Sequence, residues 1–209
     1  MIHLDSTLLE AKSLVSERRA FLELIQAANR LMAPEEVTRN LLVLAWHLSG
    51  CEAVAIRLKQ GPGFPFAGSL GFPNHFVAPD DDLLVRDTEG RLLRGGHHEL
   101  IPACLCGHLL LGQVDLALPW FTTRGSFVLP RPEGNFKNPL GLHLPGHTLN
   151  PHHLAGYQTM GIFPIWIEEQ PFGLIQCNDR RPGRLQGDTT DLMEGLAARA
   201  GDLFELTMP

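Results

Sequence analysis

A long central stretch without regular hydrophobic periodicity, residues 71–153, most constrains how this chain can fold. It is rich in proline, glycine and histidine and holds most of the ten histidines. Strand and helix patterns precede it and resume after it. A loop region of this length inside a compact domain is usually a lid or a binding loop. The sequence therefore predicts an ordered frame whose two halves are joined by a functional loop region.

The patterned segments predict the frame itself. Apolar residues at helical spacing indicate helices over 34–49 and 188–207, and a short one over 102–111 inside the loop region. Alternating or continuous apolar runs indicate strands over 51–59, 64–70, 158–167 and 172–178, and the last two are close enough to form an antiparallel hairpin. Strands bracketed by helices predict an α+β fold, with a central antiparallel sheet and helices on one face.

The first 33 residues form a separate unit in this interpretation. A heptad-like series, Leu14, Phe21, Leu24 and Leu31, predicts one long helix over 6–32. That helix could pack on its own domain or pair with a second copy in a parallel dimer. The predicted organisation is thus a signalling or dimerisation helix at 1–33 and a sensory domain at 34–209 that ends in a helix.

Charge and hydropathy exclude several classes of function. Hydrophobic residues make up 44% of the chain and charged residues 19%, so a packed core can form. The net charge is −6 without a Lys/Arg cluster, which gives no support for a nucleic-acid or anionic-membrane partner. No apolar run approaches the roughly 20 residues of a membrane span, and the N-terminus lacks a signal-peptide layout, so we expect a cytoplasmic protein with reduced thiols.

The segment with the most chemical potential is Cys104, Cys106 and His108, which is followed at a distance by His152 and His153. Thiolate and imidazole groups bind zinc, copper or haem iron, so loops folded over one cavity could assemble a three- or four-ligand metal site. The same thiols could form a redox-reactive pair. The plainer alternative is that the cysteines are small core residues and the histidines are solvated. Similarly, Trp120 and Phe127 could line a ligand pocket or belong to the core.

Several stretches together resemble a subgroup of GAF domains. They are CLCG at 104–107, PWFT at 119–122, GSF at 125–127, GYQTMGIFPI at 156–165 and FGLIQCNDRRPGR at 172–184. The resemblance covers the chain from about Pro34 to the C-terminus. It implies an antiparallel sheet with helices on one face and a ligand pocket, roofed by long loops, on the other. His152 stands where the family pattern has a cysteine, an exchange that preserves a metal ligand.

The functional expectation is a cytoplasmic sensor of a small molecule or of a metal or haem that reports through its terminal helices. Such domains are commonly homodimeric and serve histidine kinases or cyclases, so the resemblance implies an output domain of that kind as partner. The rival hypothesis is a thiol redox enzyme, because free methionine sulfoxide reductases use the same fold. Sensing without catalysis is the primary prediction.

Overall fold

The computed structural model describes residues 33–77, 82–129 and 156–207, with the side chain of His75 excepted. In this part of the chain the helices and strands follow one another as α1 (Pro34–Ser49), β1 (Ala53–Leu58), β2 (Phe66–Leu70), a 3₁₀ turn (Asn74–Phe76), α2 (Leu105–Leu110), β3 (Phe127–Leu129), β4 (Thr159–Ile167), β5 (Gln170–Asp179) and α3 (Asp188–Thr207). None of these helices has the length and hydrophobicity of a membrane span.

The strands form one five-stranded sheet in the order β2-β1-β5-β4-β3, and every neighbouring pair is antiparallel. β4 and β5 are joined by a two-residue turn at Glu168 and Glu169, because Ile167 already pairs with Gln170. Both turn residues have a positive φ, 47° and 64°, the backbone that two-residue hairpins of the commonest type require. The hairpin places β5 at the centre of the sheet.

One face of the sheet, here called the helix face, is covered by α1 and α3. Val54, Ile56, Ile175 and Cys177 point to this side and form a core with the apolar stripes of both helices. The close approach of α3 to β4 depends on Gly201, because a Cβ there would lie 2.1 Å from the carbonyl oxygen of Trp166. The prediction of helices on one face is therefore confirmed.

The opposite face, here called the loop face, is covered by α2 and by segments from the irregular middle of the chain. Its apolar residues form a second core, the loop-face cluster, that consists of Phe64, Leu83, Leu105, Cys106, Leu109, Leu110, Phe127, Leu129, Met160, Ile162 and Leu174. The irregular middle is thus tied to the sheet by apolar burial, as the sequence predicts.

The basic turn after β5 closes one end of the sheet against α1. Asp179 is fully buried and accepts hydrogen bonds from the guanidinium of Arg181 (2.8 and 2.6 Å) and from the backbone N–H of Glu52 (3.0 Å). Arg181 and Arg184 also donate to the carbonyl oxygen of Gly50, which ends α1 with a φ of 58°. Their positive charge lies at the negative end of the helix dipole, where it is favourable.

The segments that were expected from periodicity are present, with differences where periodicity is weak. α3 has the predicted bounds, and α1 ends at the predicted Gly50. α2 is shorter than the helix expected over 102–111, because Cys104 has extended backbone and caps it. β3 was missed, since three residues carry too little alternation to be recognised. The predicted N-terminal helix and the division at residue 33 concern residues outside the described ranges and stay predictions.

The hydrogen-bonded group of Asp179, Arg181, Arg184 and Gly50 is here called the Asp179 clasp. Its contribution to stability can be tested at Asp179. Burial raises the pKa of Asp179, but the hydrogen bonds from Arg181 and Glu52 outweigh it, so that its pKa lies below the ordinary 3.8. Asp179→Asn should lower the free energy of unfolding by about 2 kcal/mol at pH 7, measured by urea titration. Because the folded-state pKa is lowered, this difference should be present above pH 3.8 and shrink as the pH falls through the folded-state value.

Arg199→Ala is the matched control, because Arg199 forms an exposed ion pair with Asp202 and its loss should cost no more than about 0.5 kcal/mol. Equal effects of the two substitutions, or an Asp179→Asn effect that does not change with pH, would contradict the role given to the clasp.

Candidate functional site

Two amide side chains lie at the centre of the loop face. Strict alternation along β5 directs Gln176 and Asn178 to this side, and both are fully buried. Gln176 donates from Nε2 to Oδ1 of Asn178 at 2.8 Å, and its own Oε1 accepts from the Cys106 thiol at 3.7 Å. Opposite them in the register, β1 carries the small Ala55 and Ala53. The middle of the sheet thus holds a polar pair among apolar residues.

Asn178 keeps an unused donor in this environment. Within the described residues its Nδ2 atom is buried and has no hydrogen-bond partner. Buried polar groups in folded proteins nearly always have a partner, whether protein, water or ligand. A buried amide group without one therefore indicates that a partner belongs at this point of the loop face.

An aromatic group covers the same end of the sheet. Tyr157 packs with Ala53, Phe72 and Phe76, with its ring 5.8 Å from that of Phe72 and 6.1 Å from that of Phe76. Its hydroxyl is buried and, as far as the structure describes the chain, unpartnered. Burial raises the pKa of Tyr157, and the nearby Arg180 only partly opposes this. The hydroxyl is therefore protonated at neutral pH and can donate or accept one hydrogen bond.

Asn178 and Tyr157 belong to one site because they share a neighbour. Ala53 is the register partner of Asn178 and also packs against Tyr157. Asn178 and Tyr157 therefore both adjoin Ala53 at one end of the loop face. We call Tyr157, Gln176 and Asn178 the polar triplet.

The structure brings the predicted thiols to the neighbouring part of the same face. Cys106 is buried in the loop-face cluster, and Cys104, half-buried, packs against that cluster from the N-cap of α2. His108 on the same short helix is also buried, and neither ring nitrogen meets a partner among the described residues. Burial lowers the pKa of His108 below 6.5, and the adjacent Gln113 only partly offsets this. The imidazole is therefore neutral at pH 7.

These donors do not form a metal site by themselves. Within residues 33–77, 82–129 and 156–207, no group of three or more His, Cys, Asp or Glu side chains is arranged to hold a metal ion. The predicted ligands His152 and His153 lie outside the described residues. A zinc or haem-iron site that includes Cys104 and Cys106 would need them, so it stays a prediction.

The predicted aromatic residues belong to the packed part of the loop face. Phe127 is fully buried in the loop-face cluster, and Trp120 and Phe121 pack against it. The rings of Phe121 and Phe127 are 5.6 Å apart in an edge-on arrangement. These contacts place Trp120 and Phe127 in or against the loop-face cluster, and their role in lining a ligand pocket stays a prediction.

The other two cysteines lie on the helix face and form a pair of their own. Cys51 and Cys177 are both buried in the core beneath α1 and α3. A hydrogen bond from Cys177 lowers the pKa of Cys51 despite its burial, whereas burial raises the pKa of Cys177. The sheet separates this pair from the polar triplet, so the four cysteines lie in two different environments.

The sequence reasoning missed the polar triplet, although one signal was present. In FGLIQCND, at 172–179, glutamine and asparagine stand two residues apart within an otherwise apolar strand. This spacing places both amides on one face of the strand. A buried central strand rarely carries two polar side chains on the same face without a reason.

Neither a model of a known protein family nor a curated protein matches the sequence. Solved structures match it in fold. The GAF domain of an Acinetobacter phosphoenolpyruvate-protein phosphotransferase has a TM-score of 0.56 and 10% identity, and the match covers 91% of this chain and 93% of that one. A GAF domain/HD domain protein from Geobacter sulfurreducens has 0.53 and 17%, with coverage of 85% and 95%.

A segment of a methyl-accepting chemotaxis protein is similar in the same way, with a TM-score of 0.51, 16% identity, and coverage of 90% of this chain and 96% of that one. These likenesses, together with the five-stranded antiparallel sheet between a helical layer and a loop layer, show that the chain has a GAF fold.

Tyr157→Phe tests whether the hydroxyl awaits a partner. It removes the hydroxyl, which has no partner among the described residues, and leaves the aromatic packing, so the unfolding free energy of the ligand-free protein should rise by about 1 kcal/mol or more. Tyr157→Leu is the control, because it also removes the edge-on ring contacts and should cost about 1 kcal/mol or more. A loss of unfolding free energy for Tyr157→Phe in chemical denaturation would mean that the hydroxyl is bonded within the protein.

Proposed function

We propose that the chain is a non-enzymatic sensory module that binds a small uncharged organic molecule at the polar triplet and reports it through α3. The observation that carries this proposal is a pair of buried polar groups at one end of the loop face, Asn178 Nδ2 and the Tyr157 hydroxyl, which have no hydrogen-bond partner among the described residues. The fold supports it, since the similar domains include parts of a phosphotransferase and of a chemotaxis protein.

The energetics of the polar triplet favour a ligand-binding role. A buried donor left without an acceptor costs about 1–3 kcal/mol. A ligand oxygen or ring nitrogen that accepts from Asn178 would remove this cost on binding. The protein would thus hold an unfavourable arrangement that the ligand relieves, which adds to the ligand's affinity.

The character of the site sets the class of ligand. The polar triplet carries two amides and a protonated phenol, all uncharged. Arg180 and Arg57 lie nearby, and both have other partners. The exposed Arg180 has its guanidinium carbon 5.1 Å from the centre of the Tyr157 ring and pairs with Glu52 at 2.6 Å. Arg57 is buried and lies two residues along β1 from Ala55, the register partner of Gln176, roughly 7 Å away at the usual rise of a strand. Its guanidinium lies 3.4 Å above the centre of the Phe66 ring and donates to the carbonyl oxygen of Phe64. A neutral ligand with hydrogen-bond acceptors and a flat apolar body suits the triplet and its aromatic neighbours.

The burial of Cys106 argues for sensing rather than thiol catalysis. Only 1% of Cys106 is exposed, and its sulfur is directed at Gln176. Reactive thiols are partly exposed and lie in electropositive surroundings. Cys104 is more accessible, but it packs against apolar residues. The reductase alternative would therefore have to use Cys104, or require rearrangement of α2 to expose Cys106.

The outer surfaces of the helices support a homodimer. Val43 and Trp46 on α1 and Leu192 and Leu206 on α3 expose between 43% and 63% of their surface. Large apolar side chains in such positions are typical of helices that meet another helix. We propose that a second copy covers them, and that a kinase or cyclase output domain reads the change in α3.

A binding screen tests the proposal. The full chain would be heated with neutral nucleobases, nucleosides and amino-acid amides, with zinc chloride and haemin as separate arms, while its melting temperature is recorded. A ligand at one hundred times its Kd should stabilise the protein by about 2.7 kcal/mol. Tyr157→Phe and Asn178→Ala should each weaken binding of the organic ligand about ten-fold or more in calorimetry, because each loses a hydrogen bond.

Arg199→Ala should bind like the native protein. Stabilisation by zinc or haemin that Cys104→Ser abolishes would favour the metallated alternative. Multiple turnovers of methionine sulfoxide with dithiothreitol would favour the reductase. Organic binding that both triplet variants leave unchanged would overturn the proposed site.

A further inference from the structure

Residues 120–128 form a small β-hairpin at the edge of the sheet, here called the edge hairpin. The backbone N–H of Val128 donates to the carbonyl oxygen of Trp120 at 2.8 Å, and that of Thr122 donates to Ser126 at 2.9 Å. The turn closes at Gly125, whose φ of 81° suits glycine and whose N–H donates to Thr122. Since β3 is the last of the five strands that the structure describes, this hairpin lies at the edge of the described sheet.

The edge hairpin contacts both layers of the fold. Its base lies on the loop face, where Phe121 and Phe127 pack with the loop-face cluster. Its tip contacts α3, a helix of the other layer: the Thr122 hydroxyl donates to Oε1 of Glu194 at 2.5 Å. Arg124 approaches the same carboxylate, with Nε 3.7 Å from Oε2. One short element thus links the ligand-side core to the proposed output helix.

The burial of Glu194 makes this link sensitive to the position of the hairpin. Its side chain is only 5% exposed, although it is a carboxylate on a helix that otherwise buries apolar residues. A buried carboxylate is costly unless it is hydrogen-bonded. In the described ranges, its polar contacts come from Thr122 and Arg124, both at the tip of the hairpin. The position of α3 near Glu194 is therefore tied to the position of the hairpin tip.

Thr122 itself is held from both sides. Its hydroxyl oxygen accepts from the backbone N–H of Ser126 at 3.1 Å while its proton is donated to Glu194. Hydrogen bonds to a charged acceptor are short and depend on geometry. A shift of the hairpin by a fraction of an ångström must either move α3 or weaken this bond.

We infer that the edge hairpin transmits rearrangement of the loop face to α3 through the hydrogen bond between Thr122 and Glu194. The inference rests on the proposed function for its purpose, since a ligand at the polar triplet would be the natural cause of such a rearrangement. The coupling itself is a property of the ligand-free protein. It assigns Thr122 and Glu194 the role of coupling residues and not of ligand contacts.

The test uses the full chain without ligand. Phe121→Leu perturbs the loop-face base of the hairpin, and hydrogen–deuterium exchange is measured by mass spectrometry over 190–198 in α3. The substitution should speed exchange there about ten-fold, the loss expected when a hydrogen bond to a charged group is weakened. In a Thr122→Val background, which lacks the hydroxyl at nearly the same side-chain volume, Phe121→Leu should add less than a two-fold change.

Thr122→Ser keeps the hydroxyl and should restore the full response to Phe121→Leu, which a purely steric role of Thr122 would not predict. Glu194→Met gives a second variant in case Thr122→Val is poorly folded by circular dichroism. It has nearly the same length and no oxygen acceptor, so it should reduce the response in the same way. An equal response in the native, Thr122→Val and Glu194→Met backgrounds would overturn the inference. Because no ligand takes part, the exchange result can be interpreted even if the binding screen fails.

Discussion

The two-sided environment of β5 is the constraint on which the rest of the structure depends. Ile175 and Cys177 point into the helix face, whereas Gln176 and Asn178 point into the loop face. A slip of one residue would exchange these sets and bury two amides beneath the helices. The register must therefore be fixed at both ends of the strand. The two-residue turn with β4 fixes it at one end, and the Asp179 clasp fixes it at the other.

This constraint explains what the most recognisable part of the sequence does. In the NDRRPGR stretch, Asp179, Arg181 and Arg184 join the end of β5 to Gly50 at the end of α1. In the described part of the chain, the hydrogen bonds of their side chains join Asp179 to Arg181 and both arginines to backbone carbonyl groups, and they hold the helical layer on the sheet. Asn178, the first residue of the same stretch, belongs to the polar triplet. A residue of the proposed binding site is thus adjacent in the sequence to Asp179, which holds the layers together.

Periodicity allowed the frame to be predicted because each framing element buries one face over many residues. α1, α3 and the β4–β5 hairpin are such elements. β3 has three residues, and its burial depends on Phe127 meeting residues distant in sequence, which no local pattern encodes. The candidate site was harder to predict from the sequence for the same reason. Cys104, Cys106 and His108 indicate metal binding or thiol redox chemistry in the sequence, yet α2 directs Cys106 into an apolar core. Tyr157, by contrast, is a candidate only because its hydroxyl is buried without a partner among the described residues.

The layered fold also limits how a ligand could be sensed at all. The central strands are paired on both sides and packed on both faces, so they cannot move without breaking two ladders and two cores. The edge hairpin as a unit pairs with the described sheet only through β3, so it can shift at lower cost. Signals that pass from the loop face to the helix face should therefore travel around the edge of the sheet and not through it. The edge hairpin has the required geometry, with phenylalanines packed on one layer and a threonine hydroxyl bonded to a buried carboxylate of the other. The buried carboxylate would make α3 responsive: if the bond from Thr122 is weakened, the carboxylate loses a donor, and movement of α3 toward water would offset the cost.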